Sequence, residues 1–274
     1  MSLRESAKKF ERVEKNEKIE GLREFIESAA REIREKDNVP LREDGRIDMN
    51  AFSGIHPDTP EDLRRAKEWH EEWHPNVAEE EIARKRLLSD GEKLEMLAQA
   101  VFHKNIGNRF IVARASEYDD RVNGVDTILL DRETGNLVCA FDEVGDAGGA
   151  VYQEKQKNIL EKNMNQGGAE LKYGISLEKT GGSKSLKLGR VEHIPVFYIA
   201  LPKNKIKEGV DSFIPDSSRQ SDFEKKLFEF FIASIAAQIK GLELFTARLE
   251  HRGVKSKIDE FSKIIEGLRK TGGL

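Results

Sequence analysis

Cysteine is almost absent from this chain of 274 residues, because Cys139 is its single representative and no disulfide can form within the chain. A reducing compartment fits this composition, and Cys139, inside an apolar segment, is expected to be a small buried residue. No apolar run approaches the roughly 18 residues of a membrane-spanning helix, and the charged N-terminus does not resemble a signal peptide. The sequence therefore predicts a cytoplasmic protein without a membrane partner.

Aromatic residues are also few, at 7%, whereas hydrophobic residues make up 38% and charged residues 35% of the chain. With a mean hydropathy of -0.61, this composition predicts a genuine core accompanied by long solvated helices. The net charge of -4 argues against a generally basic coat for nucleic acid, but it leaves room for a local basic patch.

Three regions are predicted from the order of periodic segments and breakers. Residues 1–88 are expected to form a helical arm, at 4–36, followed by a linker or extended wrap, while 211–274 should form a C-terminal helical extension that packs on the core. Residues 89–210 should form an α/β core that starts at the helix cap of Ser89 and runs helix, three strands, helix, two strands. The fold class is thus α/β (α+β), with a central mixed sheet and flanking helices.

Two neighbouring strands each carry a carboxylate inside an apolar run. Residues 125–131 and 137–144 flank a short turn in which Gly135 suits a left-handed position. The register that follows pairs Arg132 with Asn136, Asp131 with Leu137 and Asp126 with Asp142, which places the last two Cβ atoms about 5 Å apart. A divalent cation would convert their repulsion into binding, whereas a register off by one would send one carboxylate to solvent.

This order of elements, with an acid on the first helix and one on each of two strands, resembles the PD-(D/E)XK nuclease superfamily over roughly residues 89–200. The resemblance implies a restriction-endonuclease-like αβββαβ core in which Glu95, Asp126 and Asp142 bind Mg²⁺ or Mn²⁺ and cut a DNA or RNA phosphodiester. The chain departs from the family at Val144, where the motif lysine is missing. Lys155 and Lys157 on the next helix are then the nearest substitutes, because some members of the superfamily carry the lysine there.

The acid on the first helix is ambiguous. Glu92 is explained by the cap of Ser89, so Glu95, one turn further along, is preferred as the ligand, with a solvated helix face as the alternative. The acidic segment 117–120 is expected to be a turn, although it could add ligands near Asp126. Glu143 should point to the opposite face and pair with a lysine.

Nucleic acid as a partner has local support, since eleven cations and six acids lie between Val151 and Val210. A basic region beside an acidic metal site is what a phosphodiester substrate requires. Tyr152 and Tyr173 are the candidates for base stacking in this region. If the missing lysine has left the site inactive, the alternative is a nuclease-like scaffold that binds nucleic acid or protein.

A zinc metallopeptidase is the rival enzyme class, because His70-Glu71-Glu72-Trp73-His74 fits the H-E-x-x-H pattern. Two histidines at this spacing share a helix face and can bind Zn²⁺, with Glu71 as general base. The segment is charged nearly throughout and Pro75 follows at once, which favours an amphipathic surface helix instead. A homodimer formed through the helical extensions is a further possibility that the sequence leaves open.

Overall fold

The computed structural model describes residues 3–73, 89–145, 147–180, 183–244 and 252–271. The fold is mixed α/β, with eight α-helices and six strands in these ranges. The helices are α1 (Leu3–Asp37), α2 (Thr59–Trp73), α3 (Asp90–Ile106), α4 (Glu117–Asn123), α5 (Ala150–Asn165), α6 (Lys203–Ser212), α7 (Asp222–Leu244) and α8 (Arg252–Thr271). The strands are β1 (Phe110–Arg114), β2 (Thr127–Asp131), β3 (Leu137–Val144), β4 (Ala169–Thr180), β5 (Ser183–Ile194) and β6 (Val196–Ala200).

The central sheet has the strand order β1-β2-β3-β6, so the predicted mixed sheet with flanking helices is confirmed. β1, β2 and β3 are antiparallel neighbours, whereas β6 joins β3 in parallel after the crossover through α5. Strands β4 and β5 form a separate hairpin. Two strands were predicted after α5, whereas the structure has three, and β5 is the one that was missed. Leu186 and Leu188 alternate with polar residues there, as in a half-buried strand.

The β2–β3 hairpin keeps the predicted register at its open end, where Thr127 pairs with Phe141. A bulge follows Leu129 and shifts the register by one residue, so that Leu130 pairs with Leu137 near the turn. The bulge inserts one extra residue in β3, and a pattern of alternating side chains does not reveal such an insertion.

The predicted pairings nearest the turn are consequently wrong. Asp131 does not face Leu137 and instead its backbone N–H donates to the carbonyl of Asn136 at 2.9 Å. The Arg132 side chain turns away to Asp37 at the end of α1, with its Nη2 2.7 Å from the carboxylate. Gly135 does adopt the predicted left-handed conformation, with φ of 79°.

Two buried apolar clusters cover the two faces of the sheet. One face packs on α1, α3, α6, α7 and α8, and Cys139 is buried in that cluster as predicted. The other face packs on the β4–β5 hairpin, α5, the C-terminal end of α1 and the segment after it. Phe230 on α7 is a large apolar residue that does not join either cluster, and it is 49% exposed.

Residues 38–52 form a buried wrap along the free edge of β1. Arg46 makes a parallel bridge to Arg114, with the Ile47 N–H donating to the Arg114 carbonyl at 3.0 Å. Leu41 bridges to Ile47, so the segment closes on itself like a short hairpin. This wrap covers one edge of the sheet.

The Ser89 cap of α3 is confirmed, because its hydroxyl accepts from the Glu92 N–H at 3.1 Å. Residues 117–120, expected to be a turn, begin the helix α4 behind an N-cap at Ser116. Within the described ranges, no helix is long and apolar enough to cross a membrane.

Candidate functional site

Asp126 and Asp142 come together where β2 and β3 begin to separate. The observed pairing of the strands ends at Thr127 and Phe141, and the Asp126 N–H donates to the Phe141 carbonyl at 2.9 Å, so the predicted pairing of Asp126 with Asp142 is not formed. Both aspartates nevertheless lie near Lys155, whose ammonium group is attracted to each of them. The Asp126 carboxylate accepts from the Glu143 N–H at 2.7 Å, which fixes its side chain at the mouth of the hairpin. Both aspartates are 8% exposed, so their charges are largely removed from water.

The two lysine candidates differ in position. Lys155 on α5 is half-buried, and its ammonium group forms an ion pair with Asp142 and donates to the Glu143 carbonyl at 3.2 Å. Burial lowers the pKa of Lys155, but attraction to Asp142 and Asp126 outweighs burial and the net pKa is raised. Lys157 is exposed and forms no ion pair with either aspartate. The structure thus brings Lys155, and not Lys157, to the aspartates.

The Glu143 carboxylate was expected to pair with a lysine, and this prediction is wrong. Lys155 contacts the backbone carbonyl of Glu143 and not its side chain. No donor meets hydrogen-bond geometry at either carboxylate oxygen, although Asp126 and Thr127 lie close enough to lower its pKa in part. Burial and repulsion from Glu95 dominate, and they raise the pKa of Glu143 to about 8. A buried carboxylate without a donor is costly when ionised, so it must take up a proton or a cation.

The pKa of Asp126 is raised, as is that of Glu143. Burial and repulsion from Glu95 and Glu143 raise the pKa of Asp126 well above its usual value. Three carboxyl groups therefore compete for limited positive charge at the mouth of the hairpin. This is the arrangement that a divalent cation relieves, because oxygen ligands of this kind suit Mg²⁺ and Mn²⁺.

Glu95 occupies a different environment from the one predicted for a metal ligand. Its Oε2 accepts from Arg46, at 3.3 Å, and also forms an ion pair with Arg114. Arg114 in turn contacts Glu92 at 2.6 Å, and Arg46 contacts Asp120 at 2.8 Å. The side chains of both arginines are only 1% exposed, so Glu95 lies near the aspartates as a counter-ion of buried guanidinium groups.

The two arginines remain charged despite their burial. Burial lowers the pKa of Arg114, but attraction to Glu95 and Glu92 exceeds this effect and the pKa is raised well above its usual value. For Arg46, burial and repulsion from Arg114 lower the pKa, while Asp120 and Glu95 more than compensate. The carboxylates of α3 and α4 thus neutralise the arginines that join the wrap to β1.

Arg46, Arg114 and Lys162 were missed by the sequence reading. Lys162, two turns after Lys155 on α5, donates to the carbonyl of Asn123, and burial lowers its pKa. The spacing of seven residues between the two lysines was a usable signal, since it places both on one helix face. No comparable signal identified the arginines, because Arg46 reaches the site only through the wrap.

The acidic residues of α4 serve the fold. Asp119 is buried and accepts from the Lys172 N–H at 2.8 Å and the Tyr173 N–H at 3.1 Å, which ties β4 to α4. Burial raises the pKa of Asp119, and these hydrogen bonds oppose the increase. Tyr173 is fully buried, so it is not available to stack on a base.

The H-E-x-x-H pattern of the rival zinc hypothesis lies largely outside the described residues. The backbone of 70–73 belongs to the end of α2, while the side chains of those residues and the whole of His74 are outside the description. Across the part of the chain that is described, no group of three His, Cys, Asp or Glu side chains is arranged to hold a metal ion. Glu95, Asp126 and Asp142, which the sequence predicted as metal ligands, belong to the described residues and do not form such a group.

No family model, no curated protein and no solved structure matches this chain.

Proposed function

We propose that this protein is a Mg²⁺- or Mn²⁺-dependent phosphodiesterase that acts on DNA or RNA. The observation that carries the proposal is the ion pair of Lys155 with Asp142 at the mouth of the β2–β3 hairpin, where the ammonium group is also attracted to Asp126. Two acids and a lysine around one point are the groups that metal-assisted cleavage of a phosphodiester requires. Lys155 lies on α5, and in this proposal it takes the role of the motif lysine, whose position in the sequence is occupied by Val144.

The topology supports the same proposal. With α4 and the β4–β5 hairpin set aside as insertions, the order α3-β1-β2-β3-α5-β6 supports the αβββαβ succession that the family resemblance implies. Asp126 directly precedes β2, Asp142 lies within β3, and the lysine lies on the crossover helix.

Each residue has a distinct role in this proposal. Asp126 and Asp142 would hold the cation, and Glu143 adds negative charge beside them. A bound cation would polarise the phosphate and stabilise the charge that develops during cleavage. Lys155, held by Asp142, is placed to orient a water molecule or to contact a non-bridging phosphate oxygen. Glu95 acts through the arginines and keeps the wrap against β1.

Calorimetric titration of Mn²⁺ into the wild type and Asp142→Asn tests the proposal, together with cleavage of labelled single-stranded and double-stranded DNA and RNA. We expect the wild type to bind Mn²⁺ and cleave, and the variant to lose both properties. Asp211→Asn, a change of an exposed aspartate on α6, is the matched control. Cleavage without added metal in the presence of a chelator, or cleavage by Asp142→Asn at the wild-type rate, would contradict the proposal.

A second candidate is an inactive nuclease-like scaffold that binds nucleic acid or protein. The ion pairs of Glu95 with Arg46 and Arg114 favour it, because the helix acid is already neutralised. The same titration separates the two candidates, since a scaffold would show oligonucleotide binding without dependence on Asp142 and without cleavage.

A further inference from the structure

A groove beside the acid and lysine residues is formed by α5, the outer edge of β6 and α7. It has a volume of about 390 Å³, within the range of about 300–1,000 Å³ that is usual for small-molecule sites. Its walls combine apolar and amide side chains, including Leu160, Tyr198, Ala237, Gln238 and Gly241. Leu160 is 42% exposed although it is a large apolar residue, so this wall of the groove is open to solvent.

Tyr198 connects this groove to the proposed catalytic site. In the parallel pairing of β3 with β6, Tyr198 is the partner of Asp142, so the two side chains project from the same face of the sheet. Two consecutive residues of α5 contact this pair of strand residues. Lys155 forms an ion pair with Asp142. The Gln156 amide donates to the Tyr198 hydroxyl at 2.9 Å. The aromatic wall and the proposed site for the phosphate are therefore neighbours.

A second aromatic ring holds Tyr198 in place. Tyr152, at the start of α5, meets Tyr198 edge to face with 5.5 Å between ring centroids and an interplanar angle of 86°. Both tyrosines are half-buried, and Tyr198 lines the groove. Burial and the interaction with Tyr198 raise the pKa of Tyr152 to about 12, so the Tyr152 ring stays neutral at physiological pH.

The outer edge of β6 is closed to an added β-strand. The Asn163 amide exchanges two hydrogen bonds with the backbone of Val196, at 2.7 and 2.9 Å. The Gln238 amide does the same with Tyr198, at 2.9 and 3.0 Å. Because these amides occupy the outward backbone groups of Val196 and Tyr198, a peptide strand cannot pair with either residue. A ligand of this groove would instead bind through surface contact and stacking.

We propose that this groove binds an unpaired nucleobase adjacent to the phosphodiester that is cut, with Tyr198 as its stacking surface. The inference rests on the proposed function, since a phosphodiester at Asp142 brings a base within reach of Tyr198. A flat aromatic ligand matches an aromatic wall, and stacking does not require a particular base. The substrate class that follows is single-stranded or frayed nucleic acid, because a base inside a duplex cannot enter the groove.

The test is fluorescence anisotropy in a chelator, with labelled single-stranded DNA and with the same strand carrying one abasic residue at successive positions. We expect the wild type to bind the intact strand about tenfold more tightly than the strand that is abasic at the stacking position. Tyr198→Leu should remove this difference, whereas Tyr198→Phe should retain it because the ring is kept. Phe230→Leu, which removes an exposed aromatic ring of α7, is the control and should also retain it.

Gly241→Phe provides a second variant that leaves Tyr198 untouched. An added Cβ at Gly241 meets nothing within 4 Å, so a side chain can be built into the groove without disturbing α7. Filling the groove should also abolish discrimination between intact and abasic strands. Circular dichroism of each variant verifies that the fold is retained, and if Tyr198→Leu is unfolded, Gly241→Phe replaces it in the comparison.

The outcomes separate this inference from the proposed function. Equal affinity of the wild type for intact and abasic strands, no binding of single strands, or full discrimination by Gly241→Phe would overturn the base site. Cleavage of duplex that depends on Asp142, without discrimination, would leave the phosphodiesterase intact and remove only the base site. Discrimination that depends on Tyr198, without Mn²⁺ binding or cleavage, would retain the base site and overturn the phosphodiesterase.

Discussion

Lys155 of α5 forms an ion pair with Asp142 of β3, and the same ammonium group donates to the carbonyl oxygen of Glu143 at 3.2 Å. The crossover helix and the third strand of the sheet are thus joined at the point where Asp126 also lies. Raised pKa values at Asp126 and Glu143 show that one lysine does not fully compensate for the carboxylates around it.

Lys155 should be required for cleavage, and Lys157 should not. Replacing Lys155 with Met keeps the length of the side chain but removes the charge beside the phosphate, so we expect cleavage to fall by about 100-fold or more. The measurement is single-turnover cleavage of labelled DNA at saturating Mn²⁺. Lys157→Met, about half a helical turn away at an exposed position, is the matched control and should keep most of the activity. Equal losses in both variants would show that general attraction of nucleic acid is the cause.

Glu95→Gln should reduce stability more than it reduces metal binding. The change weakens the ion pairs with Arg46 and Arg114, and breaking buried pairs of this kind costs about 3–5 kcal/mol when a charge is left alone. Urea denaturation measures the first effect and Mn²⁺ calorimetry measures the second. Asp142→Asn should show the reverse pattern. Loss of Mn²⁺ binding in Glu95→Gln with unchanged stability would restore Glu95 as a ligand, as the family resemblance implied.

Glu143→Gln should stabilise the metal-free protein at alkaline pH. Burial and repulsion from Glu95 raise the pKa of Glu143 to about 8, so between its ordinary pKa and 8 the folded chain keeps a proton that the unfolded chain has lost. Wild-type stability therefore falls as pH rises through this range, by at most about 1.4 kcal/mol per pH unit. The variant lacks this penalty, and its advantage should grow from pH 5 to pH 8.

Urea denaturation in a chelator at several pH values measures this effect. Glu161→Gln, which removes an exposed negative charge from α5, controls for the change in net charge. An advantage of Glu143→Gln that is the same at pH 5 and pH 8 would show that packing, and not titration, is responsible.

Asn163→Leu should expose the outer edge of β6. The change leaves the N–H and carbonyl of Val196 without partners in a buried position, at a cost of about 1–3 kcal/mol for each group. An unpaired edge strand also promotes association, so the variant should form concentration-dependent oligomers. Light scattering and urea denaturation measure the two effects. Gln153→Leu, at an exposed position on the same helix, should stay like the wild type, and a similar change in both variants would indicate nonspecific hydrophobic association.

The sequence by itself determined the features that depend on local patterns. Short apolar runs predicted β2 and β3, Gly135 predicted the turn, and the cap at Ser89 predicted the start of α3. The register from Thr127 to Leu129, which pairs with Phe141 to Cys139, follows from these features. Local geometry is sufficient here because a short hairpin limits the partners that each residue can have.

Only the tertiary structure decided how the charges are paired. Arg46 lies beside Arg114 because of a wrap that has no periodic pattern in the sequence. Both guanidinium groups then form ion pairs with Glu95. The choice between Lys155 and Lys157 depends on how α5 is rotated against β3, and rotation is set by packing of the whole core. The bulge after Leu129 and the closure of the β6 edge are likewise non-local. Such contacts join residues distant in the chain, and their free energies depend on burial that no local pattern encodes.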